Sequence, residues 1–333
     1  MTTPIKVAVT FKVADEIIDA ITAVSPRIEL VDFPGITLGR NQQLTDEDLV
    51  AARRALAEAE VVFGTNTMPM AMFDDAKALK WFQVITAGVD RMAKDGLLER
   101  GFTVTKVSGL ASVPIAEYCI GTMIMLTKSL HLALRDQLEH KWTFRWTGEL
   151  RGKTCGIVGM GAIGTEVAIR ARAFGMRVVA TRRRAGAGES DPHCDALYPF
   201  TELASLLRES DYVVLCVPLT DETRGLLGSA EFGMMKQGAI LVNIARGAVV
   251  DEAAMIEALN NGRLASAALD VFDPEPLPAT SPLWDMPNVI VTPHLSGAVE
   301  RYGHRAAEIF IRNLQHYVAG EPLELIVDPI LAY

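Results

Sequence analysis

Three glycines at a spacing that suits a phosphate group are the first residues with a chemical reading: Gly159-Met160-Gly161-Ala162-Ile163-Gly164. The apolar run Cys155-Gly156-Ile157-Val158 leads into them, and residues 165–174 continue in a helical pattern. In that setting Gly159 permits the tight turn, Gly161 removes a side chain where a pyrophosphate must approach, and Gly164 lets helix and strand pack closely. The N–H groups of the helix N-terminus then face the phosphates. Glycines also serve as plain turn residues, and it is the flanking strand and helix that make this motif specific for a dinucleotide. A second strand ends in Arg182-Arg183-Arg184, and Arg182 stands 23 positions beyond Gly159, close to the ~20 at which an acidic residue would bind the adenosine ribose. An Asp there would repel a 2′-phosphate, whereas an Arg pairs with it bidentately. At ~1.5–3 kcal/mol for such a charged bond, NADPH would be preferred to NADH on the order of 10- to 100-fold, with NADH still usable. The duller reading of the three arginines is a solvated loop.

Three further segments place charged residues at strand ends, the edge where ligands bind in sheets of this kind. They are Asn243-Ile244-Ala245-Arg246-Gly247, Leu269-Asp270-Val271-Phe272-Asp273-Pro274-Glu275-Pro276 and Thr292-Pro293-His294-Leu295-Ser296-Gly297. Together with Cys216-Val217-Pro218-Leu219-Thr220 and Thr223, they resemble the D-isomer-specific 2-hydroxyacid dehydrogenases, the family of the glyoxylate/hydroxypyruvate reductases and phosphoglycerate dehydrogenase. The resemblance runs from Ala87-Gly88-Val89-Asp90 to Gly320-Glu321-Pro322-Leu323, nearly the whole chain.

The resemblance implies that Arg246 clamps the carboxylate and carbonyl of the substrate, that Glu275 partners the catalytic histidine, and that His294 is the acid/base. Reducing a keto group needs a hydride on one side and a proton on the other, and histidine exchanges a proton near neutrality. A carboxylate beside it favours the imidazolium form, and an arginine fork matches the carboxylate of a 2-keto acid. By the same resemblance Asp270 holds the nicotinamide carboxamide, Pro218 lines the adenine side, and Ser296 and Gly297 lie by the nicotinamide. Met160, Ala162, Ile163, Thr181, Arg183, Cys216, Val217, Thr223, Ile244 and Ala245 complete the implied cofactor contacts. Ala87, Gly88 and Val89 would offer backbone N–H groups to the substrate carboxylate. Two departures from the family pattern stand out: Cys216 replaces a polar residue, often His, and Arg182 replaces the common Asp. His131, His140, His193, His304 and His316 have no such settings and read as structural.

The elements that must position these groups alternate between strand and helix. Strands are expected over 6–11, 28–31, 61–64, 82–86 and 103–106, with a capping box at Thr45 and Asp48 opening a helix to about Ala59. An apolar stretch over 115–132, with Pro114 in its first turn, reads as a buried helix. Six more strands follow over 155–158, 177–181, 212–216, 239–244, 267–272 and 289–292, and a last helix over 300–319 ends at Gly320. The expected fold is α/β in two domains: a Rossmann-type doubly wound parallel sheet, residues 104–293, inserted into a smaller flavodoxin-like α/β substrate domain formed by 1–103 and 294–333. Substrate would enter between the domains.

Composition narrows the function classes. At 333 residues the chain exceeds the size of most single cores. Half of it is hydrophobic and 22% charged, without an eighteen-residue apolar run to cross a membrane. A net charge of -9 supplies no basic field for nucleic acid. Cys119, Cys155, Cys194 and Cys216 form no C-x-x-C pair, so no metal site is expected and they read as core residues of a cytoplasmic protein. The family's usual homodimer would be joined by residues 127–150, where Trp142 and Trp146 read equally as interface anchors or core aromatics. Two rival readings are a nucleotide-sensing binding protein of the corepressor kind and a dehydrogenase of an oxyanion such as phosphite.

Overall fold

Parallel strands flanked by helices are buried on both faces, and the strand segments accordingly carry apolar side chains at odd and even positions alike. In the computed structural model, which describes residues 3–34, 45–183, 185–186 and 188–329, these segments form two sheets. The chain divides into two compact units, Met1–Leu110 with Glu300–Tyr333, and Ala111–Val299.

Among the described residues the first unit has five parallel strands: β1 (Ile5–Val9), β2 (Ile28–Val31), β3 (Val61–Gly64), β4 (Trp81–Val84) and β5 (Thr103–Thr105). Their order, β2-β1-β3-β4-β5, is the flavodoxin-like one. The period-two alternation of strands separates two cores. Val7, Val61, Phe63 and Trp81 point to the side of helix α1 (Asp15–Thr22) and the C-terminal helix Tyr302–Ala319. Ala8, Val62 and Phe82 point to the side of α2 (Asp46–Glu58) and α3 (Asp90–Lys94). The capping box is present, with Thr45 Oγ1 accepting from Asp48 N–H and Asp48 accepting from Thr45 N–H, both at 3.1 Å. The C-terminal helix is anchored by Phe310, which is buried, stacks on Phe63 at 4.4 Å between ring centroids and lies 5.2 Å from Trp81.

The second unit holds α4 (Ser112–Thr127), α5 (Leu130–Leu138), β6 (Thr154–Val158), α6 (Ala162–Ala173), β7 (Arg177–Arg182), β8 (Ala196–Pro199), α7 (Leu203–Glu209) and β9 (Tyr212–Leu215). It continues with α8 (Ser229–Met234), β10 (Ala239–Asn243), α9 (Glu252–Asn260), β11 (Leu264–Leu269) and β12 (Val289–Val291). The strand order β12-β11-β10-β9-β6-β7-β8 is doubly wound, with its switch between β6 and β9. One core packs the sheet against α4 and α6 and the other against α7, α8 and α9.

Four sequence expectations need correction. The sheet has seven strands, not six: β8 lies at the edge and is only half-buried, so it lacks an apolar signature. Strand β11 begins at Leu264 rather than 267, while Val271 and Phe272 are buried in the loop beyond it. The helix over 115–132 is broken at Ser129, whose φ of 51° separates α4 from α5. The unit boundaries fall after Leu110 and Val299, not after 103 and 293. Val107 and Leu110 still pack in the first unit's core, and His294 stays with the strand that precedes it.

Candidate active site

The phosphate turn follows β6 at the switch point of the seven-stranded sheet. Gly159 has φ 102°, and a Cβ there would lie 3.1 Å from the Cys216 carbonyl carbon and oxygen. Glycine is therefore demanded twice, by conformation and by the close approach of the loop after β9. A Cβ on Gly164 would come 2.4 Å from the Gly159 carbonyl oxygen. Gly161 differs: a Cβ there meets nothing within 4 Å, and its backbone is extended. The first backbone bond of α6 runs from Thr165 N–H to the Gly161 carbonyl, so the amides of Ala162, Ile163 and Gly164 precede it at the helix N-terminus. Thr181 is buried, and its hydroxyl accepts the Gly159 N–H at 3.2 Å while its carbonyl accepts the Met160 N–H at 2.7 Å. Thr223 ties the following loop to itself, donating to the Pro218 carbonyl at 2.6 Å and accepting from Thr220 N–H at 2.8 Å.

Arg182 lies over this turn. Its Nε donates to the Met160 carbonyl at 3.4 Å, and its guanidinium is ion-paired with Asp191 and, at 3.1 Å, with Glu189. The His193 N–H, and then Arg182, hold the Asp191 carboxyl below its ordinary range. Arg183 faces Glu222 at 3.6 Å, and Arg184 lies outside the described residues.

At the C-terminal ends of the adjacent strands β10, β11 and β12 stand Arg246, Glu275 and His294, all on one edge because the strands are parallel. Buried Asn243 shapes the first loop, accepting from Ala245 N–H at 3.0 Å and donating to the Arg246 carbonyl at 3.1 Å. Arg246 Nη1 donates to the Ala245 carbonyl at 2.7 Å. A Cβ on Gly247 would lie 2.0 Å from the Phe272 carbonyl carbon, so the loops carrying Arg246 and Glu275 touch through their backbones. Glu275 accepts from Phe272 N–H at 3.1 Å, and His294 Nδ1 lies 3.0 and 2.9 Å from its two oxygens.

His294 has φ 52°, unusual for a non-glycine residue. The two residues after it are held by Asp270, fully buried, whose oxygens accept the Leu295 and Ser296 N–H groups at 2.9 Å each. Thr292 also donates to Asp270 at 2.6 Å, and Tyr118 on α4 lies 2.8 Å from the Thr292 hydroxyl. Sequence reasoning gave no part to Tyr118 or Thr292, because a hydrogen bond between residues 174 positions apart leaves no local signal.

Residues 87–89 belong to the first unit and follow β4. The Gly88 carbonyl accepts from Asn66 Nδ2 at 2.9 Å and from Thr86 Oγ1 at 3.1 Å. With that carbonyl so held, the Val89 N–H of the same planar peptide points the other way. Asn66 and Thr86 were likewise invisible to motif reading.

Among known proteins, a family model described as "D-isomer specific 2-hydroxyacid dehydrogenase, NAD binding domain" matches residues 120–296, more than half of the chain. The chain belongs to the D-isomer specific 2-hydroxyacid dehydrogenase family. A glyoxylate/hydroxypyruvate reductase B of Enterobacter sp. (strain 638) is 34% identical over 300 residues, which cover 88% of this chain and 92% of that one. A family protein from Aeromonas salmonicida subsp. salmonicida A449 superposes with TM-score 0.83 at 30% identity, covering 98% of this chain and all of the other. A family member from Xanthobacter autotrophicus Py2, solved with NADPH and MES, gives 0.80 at 29% identity and covers both chains fully.

As a dehydrogenase of this family the chain is an NAD(P)-dependent oxidoreductase, and the turn fits a dinucleotide on its own geometry: open space over Gly161 beside a helix N-terminus that still offers amides. Cys119 and Cys155 are buried and Cys194 and Cys216 half-buried, all as free thiols. Burial pushes the Cys155 thiol up to about 12 and those of Cys119 and Cys216 up as well.

Proposed function

We propose that this dehydrogenase is an NADPH-preferring reductase of a small 2-keto acid of the glyoxylate or hydroxypyruvate kind, yielding the D-2-hydroxy acid. The observation that carries the reading is the doubly anchored imidazole, with His294 Nδ1 within 3.0 Å of both Glu275 oxygens. A carboxylate only accepts, so Nδ1 keeps its hydrogen, and Nε2 on the far side of the ring is the atom that hands a proton to the carbonyl oxygen. The nicotinamide supplies the hydride when bound. Arg246, at the neighbouring strand end, takes the carboxylate and the charge developing on the oxygen through its fork; within the first unit, residues 87–89 offer backbone amides suited to an anionic group.

Arg182 supports NADPH, as does the NADPH complex of the Xanthobacter relative. Glu189 and Asp191 already pair with this arginine, which sets the expected preference near the lower, roughly 10-fold end of what a charged hydrogen bond provides. The Enterobacter relative supports the substrate class. A second copy of the chain covers the end of α5 and the segment after it, where Leu138, Trp142, Phe144 and Trp146 are 84, 101, 73 and 91% exposed. Among the two readings of the tryptophans, exposure favours interface anchors. Free cysteines suit the reducing cytoplasm.

Initial rates for glyoxylate, hydroxypyruvate, pyruvate and phenylpyruvate, each with NADPH and NADH, test the proposal. Glyoxylate or hydroxypyruvate with NADPH should be fastest. Silence on every keto acid sinks the reading, and reduction of NAD(P)+ by phosphite in its place would reassign the substrate.

A further inference from the structure

The hydroxyls of Tyr118 and Thr292 form a chain whose direction follows from counting protons. Thr292 has one hydroxyl hydrogen. Asp270 Oδ1, 2.6 Å away, is a buried carboxylate oxygen that can only accept, and the other acceptor in reach, the Leu269 carbonyl, is at 3.5 Å. The Thr292 hydrogen therefore points at Asp270, and across the 2.8 Å contact Tyr118 must be the donor. Burial pushes the Tyr118 hydroxyl well above its ordinary range, so it stays protonated and remains a donor at any working pH.

What this chain holds is the backbone of the acid/base histidine. Asp270 Oδ1 accepts from Thr292 and from Leu295 N–H, and Oδ2 accepts from Ser296 N–H. The left-handed conformation of His294 lies between these contacts. A β-carbon disfavours that conformation, so it persists where the surroundings over-determine it. Tyr118 comes from α4, outside the loop, and ties the clamp to the helix packed against the sheet.

We propose that Tyr118 and Thr292 are positioning residues for proton transfer: their hydroxyl chain fixes Asp270, and Asp270 fixes the 294–296 backbone so that the His294 ring meets Glu275. The proposal rests on the reading of His294 as the proton donor. Neither residue needs to touch substrate.

The test compares Thr292→Val, Thr292→Ser, Tyr118→Phe and His294→Ala in NADPH oxidation by glyoxylate, with thermal unfolding of each. Thr292→Val keeps the shape and removes the bond to a charged acceptor, so kcat should fall roughly 10- to 100-fold, with a change in glyoxylate KM below about 2-fold. Thr292→Ser keeps the hydroxyl and should recover kcat to within about 3-fold of the parent. Tyr118→Phe removes a bond between neutral groups and should lower kcat about 2- to 10-fold, again with little effect on KM. It also serves should Thr292→Val fail to fold. Parent-like kcat in both Thr292→Val and Tyr118→Phe overturns the proposal, as does a Thr292→Ser enzyme as impaired as Thr292→Val. If His294→Ala is inactive in those circumstances, the acid/base reading survives and positioning alone fails. If His294→Ala turns over like the parent, the acid/base reading fails and the proposal falls with it.

Discussion

Gly161→Ala separates a glycine needed by a ligand from one needed by the fold. A Cβ at this position meets nothing within 4 Å, and φ −101°, ψ −159° is open to alanine. Two small effects on stability oppose each other. Removing glycine's freedom from the unfolded chain stabilises by about 0.4–1 kcal/mol, while alanine is a poorer N-cap than glycine by several tenths to roughly 1 kcal/mol. The melting temperature should therefore move by less than about 4 °C. Cofactor binding should not escape. The added methyl stands where a pyrophosphate would approach the amides of Ala162 and Ile163, and each charge-assisted bond displaced is worth ~1.5–3 kcal/mol, about 10- to 100-fold in Kd. Fluorescence titration of NADPH reads this directly. Thermal unfolding reads it again: cofactor at 100 times the parental Kd stabilises by about 2.7 kcal/mol, and a 30-fold weaker variant would retain only about 0.9 kcal/mol. A variant with parental Kd would refute the assignment of this turn to phosphate, and one that failed to fold would refute the reading of the space above Gly161.

Gly164→Ala should behave in the opposite way: its Cβ would lie 2.4 Å from the Gly159 carbonyl oxygen, so loss of soluble protein or a large drop in melting temperature is expected, measured without cofactor. Asn66→Ala removes one of the two donors to the Gly88 carbonyl and should raise the keto-acid KM several-fold, with the NADPH Kd unchanged by titration. The reactive form of a thiol is the thiolate, and burial raises all four thiols. The native enzyme at pH 8 should therefore react with a disulfide reagent far more slowly than the unfolded chain, half-buried Cys194 or Cys216 first, and rapid labelling of Cys119 or Cys155 would contradict the packing. Phe310→Ala should cost about 3–5 kcal/mol in denaturant unfolding by emptying the stack on Phe63 and Trp81.

Local chemistry decided how much of this was readable from residues alone. The glycine turn, the capping box at Thr45 and the uninterrupted apolar runs of β3, β6 and β9 each act within a few residues, and each stands in the structure as the sequence implies. Strand β8 was not legible, since Ala-Leu-Tyr-Pro at a half-covered edge lacks the density of β-branched residues that marks a central strand. Ser129 hid a helix break because nothing in a serine announces φ 51°. In the candidate site, the charged residues declared themselves through their place at strand ends. Their supports did not, for Tyr118 meets Thr292 and Asn66 meets Gly88 only after long-range folding.

His294 is one of five described non-glycine residues with positive φ, and the comparison among them shows what is particular to the site. Ser129 and Arg301 stand at the N-caps of helices, and His140 follows the end of α5, so each sits where the chain must change direction. Leu325 follows the C-terminal helix, with its carbonyl accepting from Lys106 N–H. His294 caps no helix. It is held by a buried carboxylate that grips the next two amides, and its ring is met by a second carboxylate from the neighbouring strand end. A residue forced from both sides into a conformation its own chemistry disfavours is where local preference yields to the requirements of a site. A substitution that relaxes the clamp should therefore leave the fold intact and allow the imidazole to leave Glu275, lowering turnover before it lowers stability.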